Sequence, residues 1–581
     1  MKNKTKTLIA TGALVLGTIT ACKDTFLEQR PYGAVTLETL SATLTGADAL
    51  LIASYSVMDG FSGWGNGGPW GAAASNWTYG SIAGGDAYKG SEANDQPDIT
   101  PIERHETNAN NPYIESKWNT YYDGIARANQ ALKAFKALKS GPAAIIKTRI
   151  AEARFLRGYY HYELKRVFNM IPYIDENVED FRVPNDKDIW PNIQADLQAA
   201  VADLPLTQPE PGRATKGAAQ GILGITFLWQ GNYQAAKTQF DAIINSGRYR
   251  LNATYHENFN PAIQNSPEGV LEVQQAVNVG TDDHSNQGDI LNFPYGAGPG
   301  GCCGFHQPSQ NLVNAFRVDA NGLPFITTFN DVDVRFDTPT TTQNFVVDPA
   351  PIDPRVDWTV GRRGIPYLDW GIHGGVVWQR DPGYAGPYSP KKNVYYKAQE
   401  GTLTSASGWT KGYNTNNVKI LRYSDVLLMA AECEVEVGDL NRARALVNQV
   451  RQRAANPEGM VKKYRDPADP SKGFTTENAA NYRVGLYTTP WTDKNVAREA
   501  VRFERRIELG MEGHRRFDLV RWGVADVVLN KYLTEEARKR TYLAGARFVK
   551  GKSEFMPIPN PAIVRSSRDG QPTLKQNPGY Q

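Results

Sequence analysis

Two stretches of the chain set tryptophan and tyrosine among glycine, asparagine, aspartate and arginine. The first runs from Trp64 to Lys89 and holds Trp64, Trp70, Trp77, Asp86 and Tyr88. The second runs from Asp357 to Trp370 and holds Arg363, Tyr367 and Trp370. A rigid aromatic ring can cover the C–H face of a sugar while losing little rotamer entropy. Neighbouring acids, amides and guanidiniums then fix the hydroxyls by hydrogen bonds. These eight side chains are the ligand-binding candidates. The plainer role for many such rings is to hold the loops together.

A second cluster invites a catalytic reading. Glu504, Glu508, Glu512, His514 and Asp518 lie close in sequence among arginines, and carboxylates with a histidine can do acid–base work. On a helix, residues four apart share a face, so the expected arrangement is a helix-end network of carboxylates and guanidiniums, with His514 as a hydrogen-bonded packing residue. A glycoside hydrolase would need two carboxylates roughly 5–9.5 Å apart across a cleft, and no motif names such a pair. No catalytic residue is assigned, and a non-enzymatic role is expected. Cys302 and Cys303 sit between Gly301 and Gly304. Those glycines permit an unusual backbone, so a vicinal disulfide is a candidate and would form a rigid apolar ridge beside the binding face. No second Cys/His pair has metal-ligand spacing around them. Acids and asparagines in the loops match no recognised calcium pattern, which leaves metal binding open. No cofactor is expected. Cys433 falls in an apolar helical pattern and is expected to be buried.

Helices must carry these loops. Apolar residues recur at helical spacing from Ile145 to Phe168, from Lys216 to Trp229, from Tyr233 to Ile244, from Val418 to Val437 and from Leu440 to Arg453. Trp118 to Ala137 and Ile189 to Leu204 are further helices. Gly231-Asn232 and Gly438-Asp439 break two of the runs into pairs, the pattern of tetratricopeptide-like repeats that stack to bury a shared face. The predicted fold is therefore mainly α: helix pairs in an α-α superhelix, over about 113–250 and 418–530, scaffolding a large irregular binding lobe. That lobe comprises about 60–111 and 251–417, within one domain spanning 22–581. Seven of the twelve tryptophans fall in these loop regions: Trp64, Trp70, Trp77, Trp358, Trp370, Trp378 and Trp409. Such ring content argues against disorder, and long ordered loops are commonly functional.

The N-terminus reads as an export signal over residues 1–21. Lys2, Lys4 and Lys6 precede a short apolar run from Leu8 to Leu16, too short to span a bilayer. Ile19-Thr20-Ala21-Cys22 resembles a bacterial lipobox, in which Cys22 is acylated and becomes the first residue. Removing the segment leaves 61 basic against 61 acidic residues. A mature chain near neutrality lacks the basic excess that nucleic-acid binding draws on.

The C-terminal third carries the most specific pattern. The segment Phe503-Glu504-Arg505-Arg506-Ile507-Glu508-Leu509-Gly510-Met511-Glu512-Gly513-His514-Arg515-Arg516-Phe517-Asp518-Leu519-Val520-Arg521-Trp522-Gly523 resembles the signature of the RagB/SusD family. Members of that family are surface glycan-binding lipoproteins of Bacteroidota. Phe555-Met556-Pro557-Ile558-Pro559, the ending Lys575 to Tyr580, the start Cys22 to Glu28 and the run Glu152 to Tyr160 are similar to other parts of the family pattern. The resemblance implies tetratricopeptide-like pairs holding an irregular lobe, with the region after the first helix contributing to the ligand face. It further implies an outer-membrane location through a lipid (palmitate) anchor, facing the exterior, and a SusC-like TonB-dependent transporter as partner. An oligosaccharide is the expected ligand, with peptide capture as the alternative on the same architecture. Family members often carry several acids after the lipid cysteine, whereas Lys23-Asp24 supplies one.

Overall fold

A computed structural model describes residues 40–62, 68–281, 284–338, 345–405 and 407–580, so Cys22 and Trp64 lie outside the described residues. Its frame is a succession of helices: α1 (Leu44–Tyr55), α2 (Pro112–Ala137), α3 (Ala143–Phe168), α4 (Trp190–Asp203), α5 (Lys216–Trp229), α6 (Tyr233–Asn245), α7 (Tyr423–Val437), α8 (Leu440–Ala454), α9 (Lys494–Leu509), α10 (Arg515–Arg521) and α11 (Ala525–Glu536). Local chemistry sets many of the starts. Thr43, Asn111, Thr215, Asn232, Asp439 and Asp493 each accept a hydrogen bond from a first-turn backbone N–H, satisfying donors that the helix itself leaves free.

The helices stack in sequence order, α2 on α3, α3 on α4, α4 on α5 and α5 on α6. The next contact joins α6 to α7 across the whole intervening insert, and α7 then packs on α8 and α9. The superhelix is thus continuous in space though broken in sequence. One boundary differs from the sequence expectation. The helix expected from Val418 begins at Tyr423, and Val418–Arg422 is instead a strand. Val418 and Ile420 are β-branched, and a partner at the beginning of the insert, Gly269–Val273, is available to pair antiparallel with it.

Four short strands tie the irregular regions together: β1 (Ala87–Gly90), β2 (Gly269–Val273), β3 (Phe305–Pro308) and β4 (Val418–Arg422). β1 and β3 are antiparallel, with Ala87 opposite Pro308 and Tyr88 opposite Gln307, so the first loop region is laced to the insert. The insert also owns a small apolar core of Phe293, Tyr367, Leu368, Trp378, Val394 and Tyr395.

What clamps the insert onto the frame is a buried charge network on α9. Glu504 and Glu508 stand one turn apart, and both meet Arg355 of the insert, at 2.7 and 2.9 Å. Arg451 of α8 pairs with Glu504 at 2.7 Å. Arg422 of β4 pairs with Glu508 at 2.5 Å, and Arg453 of α8 joins it. Helix α9 ends at Leu509, yet Glu512 still reaches the same cluster. Met511 takes a left-handed conformation (φ 68°) that turns the chain back, and Glu512 then meets Arg422 at 2.8 Å and Lys392 at 2.6 Å. With Glu268 and Asp353 included, five carboxylates face five cations. Burial alone would raise Glu508 and Glu512; the surrounding guanidiniums outweigh it, hold Glu508 well below the carboxylate range and place Glu512 at about 2.

Replacing Glu508 by Gln leaves Arg422, Arg453 and Arg355 short of a counter-charge inside the protein. The expected loss is about 3–5 kcal/mol, the usual cost of breaking a buried pair from one side, measured by urea unfolding. A loss under about 1 kcal/mol, the scale of an exposed pair, would contradict the clamp. The sign with pH follows from the depressed carboxylates. Their stabilisation is complete above the unfolded value of 4.5 and drains away as pH falls toward 2.

Candidate functional site

The structure divides the candidate rings into interior and rim. Trp77 is 1% exposed; its indole N–H donates to the Gly288 carbonyl at 2.9 Å, and its ring meets Phe305 and His306. Asp86 is buried against Arg506 at 3.2 Å. Tyr88 is fully buried, donating to Glu536 and accepting from the Gln310 amide. Tyr367 is fully buried in the insert core, its hydroxyl on the Pro390 carbonyl and its ring edge-on to Trp378. These four brace the loops and present no face to a ligand in this structure. The physical reason differs by residue: Trp77 fills the main core, Tyr88 a cluster with Tyr532, Leu533 and Leu543, and Tyr367 the insert's own core, while Asp86 neutralises Arg506.

Three candidates lie at partly exposed positions. The Trp70 indole donates to Gln96 at 3.3 Å. Trp370 donates to the Tyr395 carbonyl at 2.9 Å and caps the insert core. Arg363 pairs with Asp337 at 3.3 Å and covers the Phe345 ring at 5.2 Å.

Within the insert, two other rings face outward. Trp409 is 61% exposed and Tyr295 is 42% exposed. Trp409 stands at the tip of the glycine-bounded turn Gly408-Trp409-Thr410-Lys411-Gly412, its ring edge-on to Tyr413 at 6.3 Å. Thr410 donates to the Gly300 carbonyl at 2.9 Å, while the Tyr395 hydroxyl accepts from the Gly300 amide and donates to the Lys411 carbonyl. The Trp409 turn is thereby riveted to the Gly300–Gly304 turn, where a disulfide joins Cys302 to Cys303. Cys302 lies partly exposed on that turn.

Tyr295 belongs to the same loop surface. Its amide and that of Gly296 donate to the Trp378 carbonyl at 3.2 and 3.1 Å. The Arg380 guanidinium lies over the Tyr295 ring at 5.0 Å and is held by Asp95 at 2.5 Å and Glu92 at 3.0 Å. The Ser91 amide donates to the Gly304 carbonyl, which closes the circuit back to the first loop region. Two outward rings, an apolar disulfide edge and a fixed guanidinium with carboxylates thus share one platform. Their chemistry suits stacking on a hydroxylated ring and hydrogen bonding at its edge. Trp409 carries no local signal of its exposure, since Gly408 and Gly412 bound its segment much as glycines surround the buried Trp77.

Among the described residues, carboxyl groups raised by burial are enclosed, including Asp337, which pairs with Arg363. Glu103 is pushed up to about 7 and is 1% exposed, accepting from the Tyr542 hydroxyl at 2.8 Å and the Lys89 amide at 3.1 Å. Asp289 and Glu536 are raised by burial as well, and each accepts from buried neighbours.

The helical-pair frame with its large inserted lobe defines a fold class shared with many solved structures. A "Laminarin binding SusD-like protein" aligns with a TM-score of 0.65 at 22% identity, covering 93% of this chain and 100% of that one. "Surface glycan-binding protein A from Bacteroides thetaiotaomicron in complex with laminarihexaose" aligns with a TM-score of 0.64 at 17% identity, over 91% of this chain and 98% of that one. In sequence, "SusD-like protein P2" of Formosa agariphila is 24% identical over 98% of both chains. The SusD family pattern matches residues 267–580, and a second pattern, described as "Starch-binding associating with outer membrane", matches residues 72–228. The first of these covers more than half of the chain, which belongs to the SusD family.

Glu103 supplies a pH test of the loop junction. Because its value is raised from 4.5 to about 7, its contribution to stability is complete below pH 4.5 and is lost as pH rises through 7. Glu103→Gln is expected to flatten the fall in melting temperature between those pH values. A variant whose melting curve keeps the parent's slope would refute the assignment.

Proposed function

We propose that this protein is a lipid-anchored outer-membrane lipoprotein that captures an oligosaccharide on its loop platform and delivers it to a SusC-like TonB-dependent transporter. The observation that carries the reading is the pair of outward rings, Trp409 and Tyr295, on a SusD-family frame. Both stand on turns fixed from below by hydrogen bonds, so little entropy is lost when a sugar settles on them. Trp70, Trp370 and Arg363, at partly exposed positions, and Trp64 in the first loop region are the further candidates for ligand contact. The names of two structural neighbours, which report laminarin and laminarihexaose, make β-glucan oligosaccharides the first ligands to try. Binding without cleavage is the expected chemistry, because the raised carboxyls are enclosed rather than paired across an open cleft.

Calorimetric titration of the mature protein with laminarihexaose, cellohexaose and maltohexaose tests this reading. At least one should bind, and Trp409→Ala should weaken that binding about tenfold or more, the scale of losing a stacking ring. Silence across the panel, or binding unchanged in both Trp409→Ala and Tyr295→Ala, would displace the platform as the site. Release of shorter sugars from a bound glycan would replace capture with hydrolysis.

Anchoring has its own test at Cys22. Radiolabelled palmitate should be incorporated into the parent and not into Cys22→Ser. Several acyl chains give stable attachment, whereas one binds only marginally. A parent protein without palmitate, or a Cys22→Ser protein labelled as strongly as the parent, would exclude the lipid anchor at Cys22.

A further inference from the structure

On another face, between α9, α10, α11 and the Ile326–Phe329 segment, lies an open cleft of about 540 Å³. Its floor is aromatic and aliphatic, with Phe329, Phe503, Leu519, Trp522 and Val528. Three arginines line it, and they are unequally satisfied. Arg506 is held by Asp86 at 3.2 Å and Asn311 at 2.7 Å. Arg502 lies over Trp522 at 4.8 Å and among the described residues pairs with Glu499 alone, at 3.7 Å, with its Nε buried and unpartnered. Arg515 makes no ion pair or side-chain hydrogen bond among the described residues, and its Nε is likewise buried without a partner. Buried polar atoms nearly always find a partner, and leaving a charged one without costs folding free energy. Burial, with Arg506 beside it, pulls the Arg515 guanidinium down to about 9, so the folded chain disfavours that charge as it stands.

We propose that this cleft is a second binding site, for a carboxylate carried on a hydroxylated ring, as in a hexuronate residue. The planar guanidinium fork of Arg515 matches a carboxylate in shape and charge, and Arg502 lines the same cleft. Phe329, Leu519, Trp522 and Val528 line the cleft and supply apolar contact for the C–H groups of the ring. Glu499 and Glu535 stand at the rim, Glu535 near Lys531 at 3.7 Å. Those two acids disfavour a multiply charged anion such as phosphate, yet can accept hydrogen bonds from ring hydroxyls. The volume suits one or two sugar rings. The cleft shares no lining residue with the loop platform, so its occupation is independent of the function proposed above.

The test is titration of the full mature protein with sodium D-glucuronate, with D-glucose and sodium sulfate as comparators. Saturable glucuronate binding is expected at about 10 mM or below, with glucose silent and sulfate weaker. Arg515→Gln should weaken it about tenfold or more, while Trp409→Ala leaves it unchanged. Modification of Arg515 by phenylglyoxal, followed by peptide mass spectrometry on the unmutated protein, should be slowed by glucuronate and not by glucose. This second readout holds even if Arg515→Gln fails to fold. Absence of saturable glucuronate binding, equal binding of sulfate, binding unchanged in Arg515→Gln or no protection of Arg515 would each overturn the proposal.

Discussion

Five carboxylates and five cations, gathered almost without solvent around α9, set the terms for everything else in the molecule. Burying any one of these charges alone would be prohibitive, so each is tolerated only because its partners arrive from elsewhere in the chain. Arg355 comes from the insert, Arg422 from the strand that closes it, and Arg451 and Arg453 from α8. The network therefore acts as a registration device. If the insert shifted against the helices, guanidiniums would lose their carboxylates, and the penalty would be paid in desolvation rather than in weak surface contacts.

That registration allows the loops to be long without being loose. The insert hangs from the frame at its ends by β2 and β4, from the first loop region by β1 and β3, and at its middle by Arg355. Between these points it condenses around Phe293, Tyr367 and Trp378. The outward rings stand on this secondary core, so their positions depend on packing two layers below them. Tyr395 illustrates the dependence: its ring lies in the core, its carbonyl holds Trp370, and its hydroxyl links the Gly300 turn to the Trp409 turn.

The helices were legible because their information is local. A 3.6-residue period, a capping side chain and a turn glycine act within a few residues, and the runs at Lys216–Trp229, Tyr233 and Leu440 appear where the spacing places them. Where a distant partner intervened, the local pattern misled. Val418–Arg422 pairs with a strand at the far end of the insert and leaves the helix to begin at Tyr423. The glutamates of the signature were likewise readable as a charge network. Glu512 was not placed on its helix correctly, since the left-handed turn at Met511 lies past the helix end.

The loop rings mark the limit of that legibility. The sequence by itself determined the frame, the family signature and the fact that aromatic side chains crowd two irregular regions. Only the tertiary structure decided which rings serve as core and which face outward. Trp77 and Trp409 are the same residue type in comparable glycine-rich company, yet one is sealed against Phe305 and the other stands free at a turn tip. Exposure is a property of what packs against a ring from far away in the chain, and no local spacing encodes it.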